Sequence, residues 1–254
     1  MARYEIKFSL NEVQAQQVRD WALAHLALDS HASDAEAGTY RITTLYLDNE
    51  PKDVYWRRGN YRHQKLRLRR YQNESVVFLE QKSRWCYQVE KYRTVIPQSD
   101  LPLLASYNGS STWPGGWFHH RILSDGLKPS YQVAYERSAY VGPPDEAPMR
   151  LTLDRQISYT PAHGWTFADF GGLPLFGEGV ILELKYSDLL PMLLQNLIQL
   201  FDLKLKRISK YRLAVQASER INREGPLWLP YMNGPISTER RDEGTGLNSR
   251  LADR

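Results

Sequence analysis

The sequence predicts an α+β fold, an antiparallel β-barrel with flanking helices, and three observations predict it. Charged and apolar residues alternate in segments scattered along the chain, as in Lys65-Leu66-Arg67-Leu68-Arg69, and on a strand such alternation puts charge on one face and apolar side chains on the other. An acid-x-base pair recurs as Glu5-x-Lys7, Glu80-x-Lys82 and Glu183-x-Lys185, so both charges of each pair share the polar face. Strand-like segments also outnumber helical ones.

The first strand is expected over residues 4–8, followed by a helix opened by a Ser9-x-x-Glu12 capping box and running to about residue 28. Val13, Val18, Trp21, Leu23 and Leu26 give that helix a packing face. A polar loop occupies 29–38. Strands are expected at 40–47, 66–71, 76–82 and 90–96, with Gln72-Asn73-Glu74 as a hairpin turn. Residues 100–106 suit a short helix, 108–116 are turn-rich, and Trp113, Trp117 and Phe118 are expected as packed anchors. Further strands fall at 130–141, 149–158 and 179–185, divided by the Pro143-Pro144 turn and the glycine-rich stretch 171–179. Residues 187–202 are expected as a helix with Pro191 in its first turn, and 207–215 fit either strand or helix. From Asn222 onward Pro, Gly, Asn, Ser and Arg dominate. The expected organisation is therefore one domain over 1–221 and a poorly ordered tail over 222–254, with a docked Trp228-Leu229-Tyr231 patch.

Composition narrows the function. The net charge is only +4, but between Arg57 and Arg93 there are eleven Lys or Arg against three Glu. Such a stretch repels itself unless a polyanion or counter-charge offsets it. Cys86 is the only cysteine, which excludes an internal disulfide framework and a zinc site built on cysteine pairs. The expected compartment is the reducing cytoplasm. Charges interrupt the N-terminus where a signal peptide needs an apolar run. Gln195, Asn196, Gln199 and Asp202 break the longest apolar stretch, so no transmembrane segment is expected.

Several strands presenting inward cations suit a narrow, densely charged ligand such as a triphosphate or polyphosphate. Carboxylates among those cations suit a divalent ion bridging to phosphate. No Gly-x-x-x-x-Gly-Lys-Ser/Thr loop is present, so phosphate binding rests on side chains. The same residues allow other readings. Half-exposed strands alternate this way by default, and Tyr55-Trp56-Arg57-Arg58 with Tyr61 describes a single-stranded nucleic-acid platform. The paired glutamates repel a nucleic-acid backbone, and no nucleic acid is expected as partner.

The ordered set Arg3-x-Glu5-x-Lys7, Leu45-Tyr46-Leu47-Asp48, Lys65-x-Arg67-x-Arg69-x-Tyr71, Leu79-Glu80-x-Lys82, Lys91-x-Arg93, Tyr135-x-Arg137, Leu151-x-Leu153-Asp154, Leu182-Glu183-x-Lys185-Tyr186 and Ser209-Lys210-Tyr211 resembles the VTC domain. That is the polyphosphate polymerase domain of the vacuolar transporter chaperone complex, a branch of the triphosphate tunnel (CYTH-like) metalloenzymes. The resemblance spans about residues 1–215. It implies a tunnel in which ATP donates its terminal phosphoryl group to growing polyphosphate, with Mn²⁺ or Mg²⁺ as cofactor. Carried over by position, it implies catalytic roles for Lys7, Arg67, Arg69, Lys82, Arg137 and Lys210, and substrate binding by Lys65, Lys91, Arg93, Lys185 and Arg207. Glu183 is implied as a metal ligand, and Glu5 and Glu80 either join it or hold neighbouring cations. Arg207 stands where the family often has lysine. Arg3 replaces the first Glu of the Glu-x-Glu-x-Lys found in the cyclase and thiamine triphosphatase branch, which favours the polymerase branch and leaves fewer acidic ligands. A triphosphate or polyphosphate hydrolase on the same tunnel and a non-catalytic polyphosphate-binding module are the alternatives.

Overall fold

β1 (Arg3–Leu10) shows how alternation becomes architecture in the computed structural model, which describes residues 3–30, 38–72, 74–106, 112–144 and 146–224. Ile6, Phe8 and Leu10 enter an apolar core while Glu5 and Lys7 face the other way. The strand runs two residues further than expected, because Ser9 and Leu10 still pair with Ile181 and Val180. The helix cap moves with it. Asn11, not Ser9, caps α1 (Glu12–His25): its Oδ1 accepts from the Gln14 amide at 2.8 Å, and the Gln14 side chain accepts from the Asn11 amide at 3.3 Å. From that start the buried stripe is Ala15, Val18 and Ala22, which leaves Val13 and Leu23 exposed instead of packed.

The remaining elements are β2 (Ala27–Leu28), β3 (Thr39–Asp48), α2 (Asp53–Trp56), a 3₁₀ turn at Gly59–Arg62, β4 (Gln64–Tyr71), β5 (Val76–Trp85), β6 (Gln88–Pro97), a 3₁₀ turn at Gln98–Asp100, α3 (Leu103–Ser106), α4 (Gly116–Asp125), β7 (Lys128–Val141), β8 (Met149–Pro161), β9 (Leu173–Pro174), β10 (Val180–Ser187), α5 (Met192–Leu200) and α6 (Lys210–Glu224). All strand pairs are antiparallel. Followed from neighbour to neighbour they run β7, β3, β4, β5, β6, β1, β10, β8, and β8 pairs with β7 again. The weakest step joins β6 to β1 through a single pair, Tyr4 with Gln88, and the Glu5 amide bonding Tyr87 O at 3.0 Å. Beyond it the segment before α6 takes over as β1's neighbour, with Leu205 bridging Phe8 and the Lys206 amide bonding Lys7 O at 2.9 Å.

The uncharged strand faces look outward. Ile6, Phe8 and Leu10 of β1, Leu151 and Leu153 of β8, and Val180, Leu182 and Leu184 of β10 pack with Val18 and Ala22 of α1 and Leu194 and Leu197 of α5. Leu45, Leu47, Leu66, Leu68, Val77 and Leu79 are buried on the corresponding face of β3, β4 and β5. Over β6 lies α4, where Trp117 Nε1 donates to Thr94 Oγ1 at 2.7 Å. This helix is absent from the sequence expectation. Its start carries Gly115 and Gly116 in place of a polar cap, while the left-handed Gly126 that ends it marks only its C-terminus. The helix α5 is shorter than expected because Ser187 still pairs with Arg3 and Asp188 is left-handed; Pro191 is its N-cap. The open choice at 207–215 resolves as extended chain followed by helix.

The chain divides into two units, Met1–Ala217 and Ser218–Arg254, and the Trp228-Leu229-Tyr231 patch lies outside the described residues. The polar loop and the turn-rich segment are also described only in part, since 31–37 and 107–111 fall outside, as does Asn73 of the hairpin turn. No described helix is long and apolar enough to cross a membrane.

Asp48 at the end of β3 organises the turn into α2. Its carboxylate accepts from the amides of Asn49 (2.9 Å), Val54 (3.0 Å) and Tyr55 (3.0 Å), and from the Tyr211 hydroxyl. Asp48→Ala leaves buried donors without an acceptor and is expected to lower the free energy of unfolding by about 2–3 kcal/mol, with Asp48→Asn costing less. Urea titration checks this, and an unchanged midpoint for Asp48→Ala would assign the turn's stability elsewhere.

Candidate functional site

The face opposite the apolar core collects charge from seven consecutive strands and one helix. Register sets the arrangement. Lys65 of β4 lies opposite Lys82 of β5, which lies opposite Lys91 of β6, while Arg67, Glu80 and Arg93 form the next row. In the other half Lys7 lies opposite Glu183, Glu5 opposite Lys185, and Arg137 opposite Asp154. Lys210, in the first turn of α6, reaches the same interior and bonds Asp154. Like charges directly opposite one another destabilise a sheet, and a row of three lysines is not tolerated without compensation.

Four buried carboxylates provide part of that compensation. Glu80 holds Arg67 (Nη2 at 2.7 Å), Arg93 (Nη2 at 2.8 Å, Nε at 3.0 Å) and Lys91. Glu5 holds Lys82 at 2.7 and 2.8 Å and Lys7 at 3.3 Å. Glu183 meets Lys185 at 3.1 Å, Arg137 at 3.6 Å and Lys7 at 3.7 Å. Asp154 binds Arg137 through both oxygens at 2.6 and 2.7 Å. Two cations have neutral partners instead: Arg69 donates to the Tyr135 hydroxyl at 3.2 Å and Thr44 Oγ1 at 3.4 Å, and Lys65 to Ser209 Oγ at 2.7 Å. The β7–β8 register shifts beside Tyr135, and the ring lies under Lys210 Nζ at 4.4 Å and Arg137 at 5.3 Å.

Ten cations thus line this interior against four acids. Burial opposes ionisation of all four carboxylates, and the adjacent cations overcome it and hold each below its usual range. The lysines divide. Burial lowers Lys7, but Glu183 and Glu5 more than restore it, so it sits above its usual value. Burial pushes Lys82 down to about 8 and Lys91 to about 7, and Lys65, with Lys7 and Arg57 as its largest neighbouring charges, is pushed well below the ordinary lysine value.

Of the residues singled out in the sequence, Lys7, Lys65, Arg67, Arg69, Lys82, Lys91, Arg93, Arg137, Lys185 and Lys210 come together here. Arg207 does not. It is exposed, and with Lys206 it lines a cavity of about 130 Å³ whose walls include Ile6, Lys7, Arg84, Tyr87 and Leu205. Glu80 is not placed to be a metal ligand, because three cations occupy its two oxygens and it is wholly buried. Glu5 and Glu183 lie side by side and share Lys7. Among the described residues no three His, Cys, Asp or Glu side chains converge as a metal cage. A pair of carboxylates does suit Mg²⁺ or Mn²⁺ held mainly by substrate phosphates, since such ions keep water and use one or two protein carboxylates.

The sequence offers Asp154 only as one of two structural partners for Arg137, with Glu136, and the structure pairs Arg137 with Asp154: with Leu151 and Leu153 outward, Thr152 and Asp154 must face the cations. Thr44 and Ser209 were given no role from the sequence. Neutral side chains announce no charge pattern.

The VTC domain family model matches residues 2–218 of the chain. A comparison with curated proteins returned no match. Similar solved structures include a protein of Hippeastrum with a dominant triphosphatase activity (16% identity, TM-score 0.48, covering 85% of this chain and 96% of that one). They also include the PH1819 protein of Pyrococcus horikoshii OT3 (13% identity, TM-score 0.46, covering 85% of this chain and 99% of that one).

The lowered lysines give the site a proton signature. Lys65, Lys82 and Lys91 hold protons less tightly folded than unfolded, so from about pH 7 toward 10.5 the unfolded chain binds more protons and stability rises with pH. A multivalent anion restores their charge, so its binding at pH 8–9 takes up protons. Calorimetry of tripolyphosphate binding in two buffers of different ionisation enthalpy measures the uptake, and zero uptake would remove these lysines from the anion's contacts.

Proposed function

We propose that this chain, which belongs to the VTC domain family, extends polyphosphate by transferring the terminal phosphoryl group of ATP to a growing chain inside a tunnel of antiparallel strands. The closed circuit of eight strand pairings supports reading the wall as a β-barrel. One observation carries the reading: nine cations and four carboxylates on the strands, with Lys210 of α6, share the face opposite the apolar core. An interior of that composition is completed by a polyanion.

Phosphoryl transfer asks mainly for in-line positioning of donor and acceptor and for neutralised charge, so it needs no nucleophile on the protein. Arg69, whose hydrogen-bond partners are neutral, presents its charge to phosphate oxygens, and Lys65, whose proton burial loosens, regains its charge as the anion binds. Arg67, Lys91 and Arg93 share one carboxylate between them and keep spare donors. Arg137 and Lys210 are fixed on Asp154, which orients them before substrate arrives. Glu183, with Glu5 beside it, would hold a divalent ion, Mn²⁺ or Mg²⁺, which when bound offsets charge on the phosphates. Glu80 holds the cations of β4 and β6 in place.

Incubating the purified protein with ATP and Mn²⁺ tests the reading. Polyphosphate is the expected product; free phosphate alone would assign hydrolysis, and neither product would assign binding without catalysis. Arg67→Ala and Arg69→Ala are each expected to reduce turnover by about 10²–10³ with the fold intact, as for loss of one donor to a charged transition state. Near-normal turnover in either variant would take that residue out of the site.

Glu183→Gln keeps the shape and removes the charge. It is expected to cut turnover and its dependence on metal while sparing metal-free binding of short polyphosphate, which rests on Lys and Arg. Loss of anion binding together with loss of the folded circular-dichroism spectrum would assign Glu183 to structure.

A further inference from the structure

The interior cations share four carboxylates, but a second group at one end of the strand circuit has none among the described residues. Arg84 donates to the main-chain oxygens of Cys86 at 2.8 Å and Glu5 at 3.3 Å. Arg212 lies 5.4 Å over the ring of Tyr55 in α2. Arg57, at the end of that helix, and the exposed Arg207 have no carboxylate partner among the described residues. These four form one cluster: the largest charges acting on Arg57 are Arg212, Arg207 and Arg84. Arg57 in turn acts on Lys65, and Arg84 and Arg207 share a cavity with Lys7, so the cluster adjoins the interior.

The backbone holds this arrangement against its own preference. Arg57 is left-handed at φ 59°, an unfavourable conformation for a residue with a Cβ, and the surrounding turn fixes it through the Arg58 amide bonding Asp53 O at 2.9 Å and through Asp48. Self-repulsion and backbone strain in one place are sustained when the position serves something outside the fold. Four guanidinium groups without acids offer paired donors that match phosphate oxygens. The cavity lined by Lys7, Arg84, Lys206 and Arg207 lies in the seam beside β1, where it joins this cluster to the interior.

We propose that Arg57, Arg84, Arg207 and Arg212 form a mouth site that grips phosphoryl units of a polyphosphate extending beyond those held by the interior cations, so that the protein prefers long chains to short ones. The inference rests on the reading of the interior as a polyphosphate site. A chain whose end lies near Lys65 meets these arginines next, and none of the four has a carboxylate partner among the described residues. Trp56 and Trp85 are exposed, yet Trp85 already carries His63 on its ring at 3.9 Å, which leaves less stacking surface than a nucleic-acid platform uses.

Dissociation constants for tripolyphosphate and for a chain of about 15 phosphoryl units, measured across a salt series, test the proposal in the parent and in an Arg57→Asn/Arg212→Gln double variant. Asparagine tolerates the left-handed conformation at position 57. The double variant is expected to lose about tenfold in affinity for the long chain, with a salt slope shallower by about two, while tripolyphosphate binding stays within about twofold. An unchanged long-chain affinity with tripolyphosphate still bound would overturn the mouth site alone. Failure of tripolyphosphate to bind the parent would overturn the interior reading and the mouth site with it. Single-stranded DNA of equal charge displacing the long chain from the parent better than polyphosphate does would make the cluster a nucleic-acid surface and overturn the proposal. If the double variant does not fold, Arg207→Gln, at an exposed position, provides the same long-chain comparison.

Discussion

The structure depends on placing four carboxylates among ten cations, eight of them buried or half-buried. Removing Lys and Arg from water is costly, and bringing them side by side adds repulsion that a low dielectric magnifies. Glu80, Glu5, Glu183 and Asp154 reduce both costs where the strands would otherwise be forced apart. They are too few to cancel the charge. Burial first, and the neighbouring cations after it, lower Lys65, Lys82 and Lys91, so the interior keeps an uncompensated tendency to lose protons.

Because strands have a period of two, the charged interior and the apolar exterior are one decision. Each residue that brings Lys7 inward sends Ile6 and Phe8 outward, where α1 and α5 bury them. A register slip of one residue in β1 would exchange the two faces and put leucine and isoleucine among the interior charges. Cross-strand pairs such as Lys7 with Glu183 and Glu5 with Lys185 therefore act as register marks as well as charge partners.

This is why so much was legible from the sequence. Alternation announced the strands and the acid-x-base pairs announced the shared polar face, while the family resemblance, carried over by position, supplied cations such as Arg137 and Lys210. What failed was decided by context. The capping box at Ser9 was as good locally as the one at Asn11, but pairing with Ile181 keeps Ser9 in the strand. Helix α4 lacks a polar cap and is anchored through tertiary contacts such as Trp117 on β6. Glu80 reads like Glu183 in sequence, since both precede a lysine by two. Only the neighbouring strands distinguish them: Arg67 and Arg93 flank Glu80 and use its oxygens, whereas Glu183 has Lys7 and Thr152 opposite and Glu5 nearby.

The weak seam between β1 and β6 explains why Ser209 and Lys210 reach the interior from a segment that is not part of the strand circuit. With only one residue pair joining the two strands, β1 keeps unpaired main-chain groups that a free edge would expose. The extended chain after α5 takes them, through Leu205 on Phe8 and Lys206 on Lys7. Its path then ends beside Lys65, where Ser209 accepts a hydrogen bond and α6 begins by pointing Lys210 at Asp154. The segment that covers the edge thus also delivers the last cation, so edge protection and site assembly are the same contact. The two basic residues on its outer side, Lys206 and Arg207, are left facing the seam cavity instead of the interior.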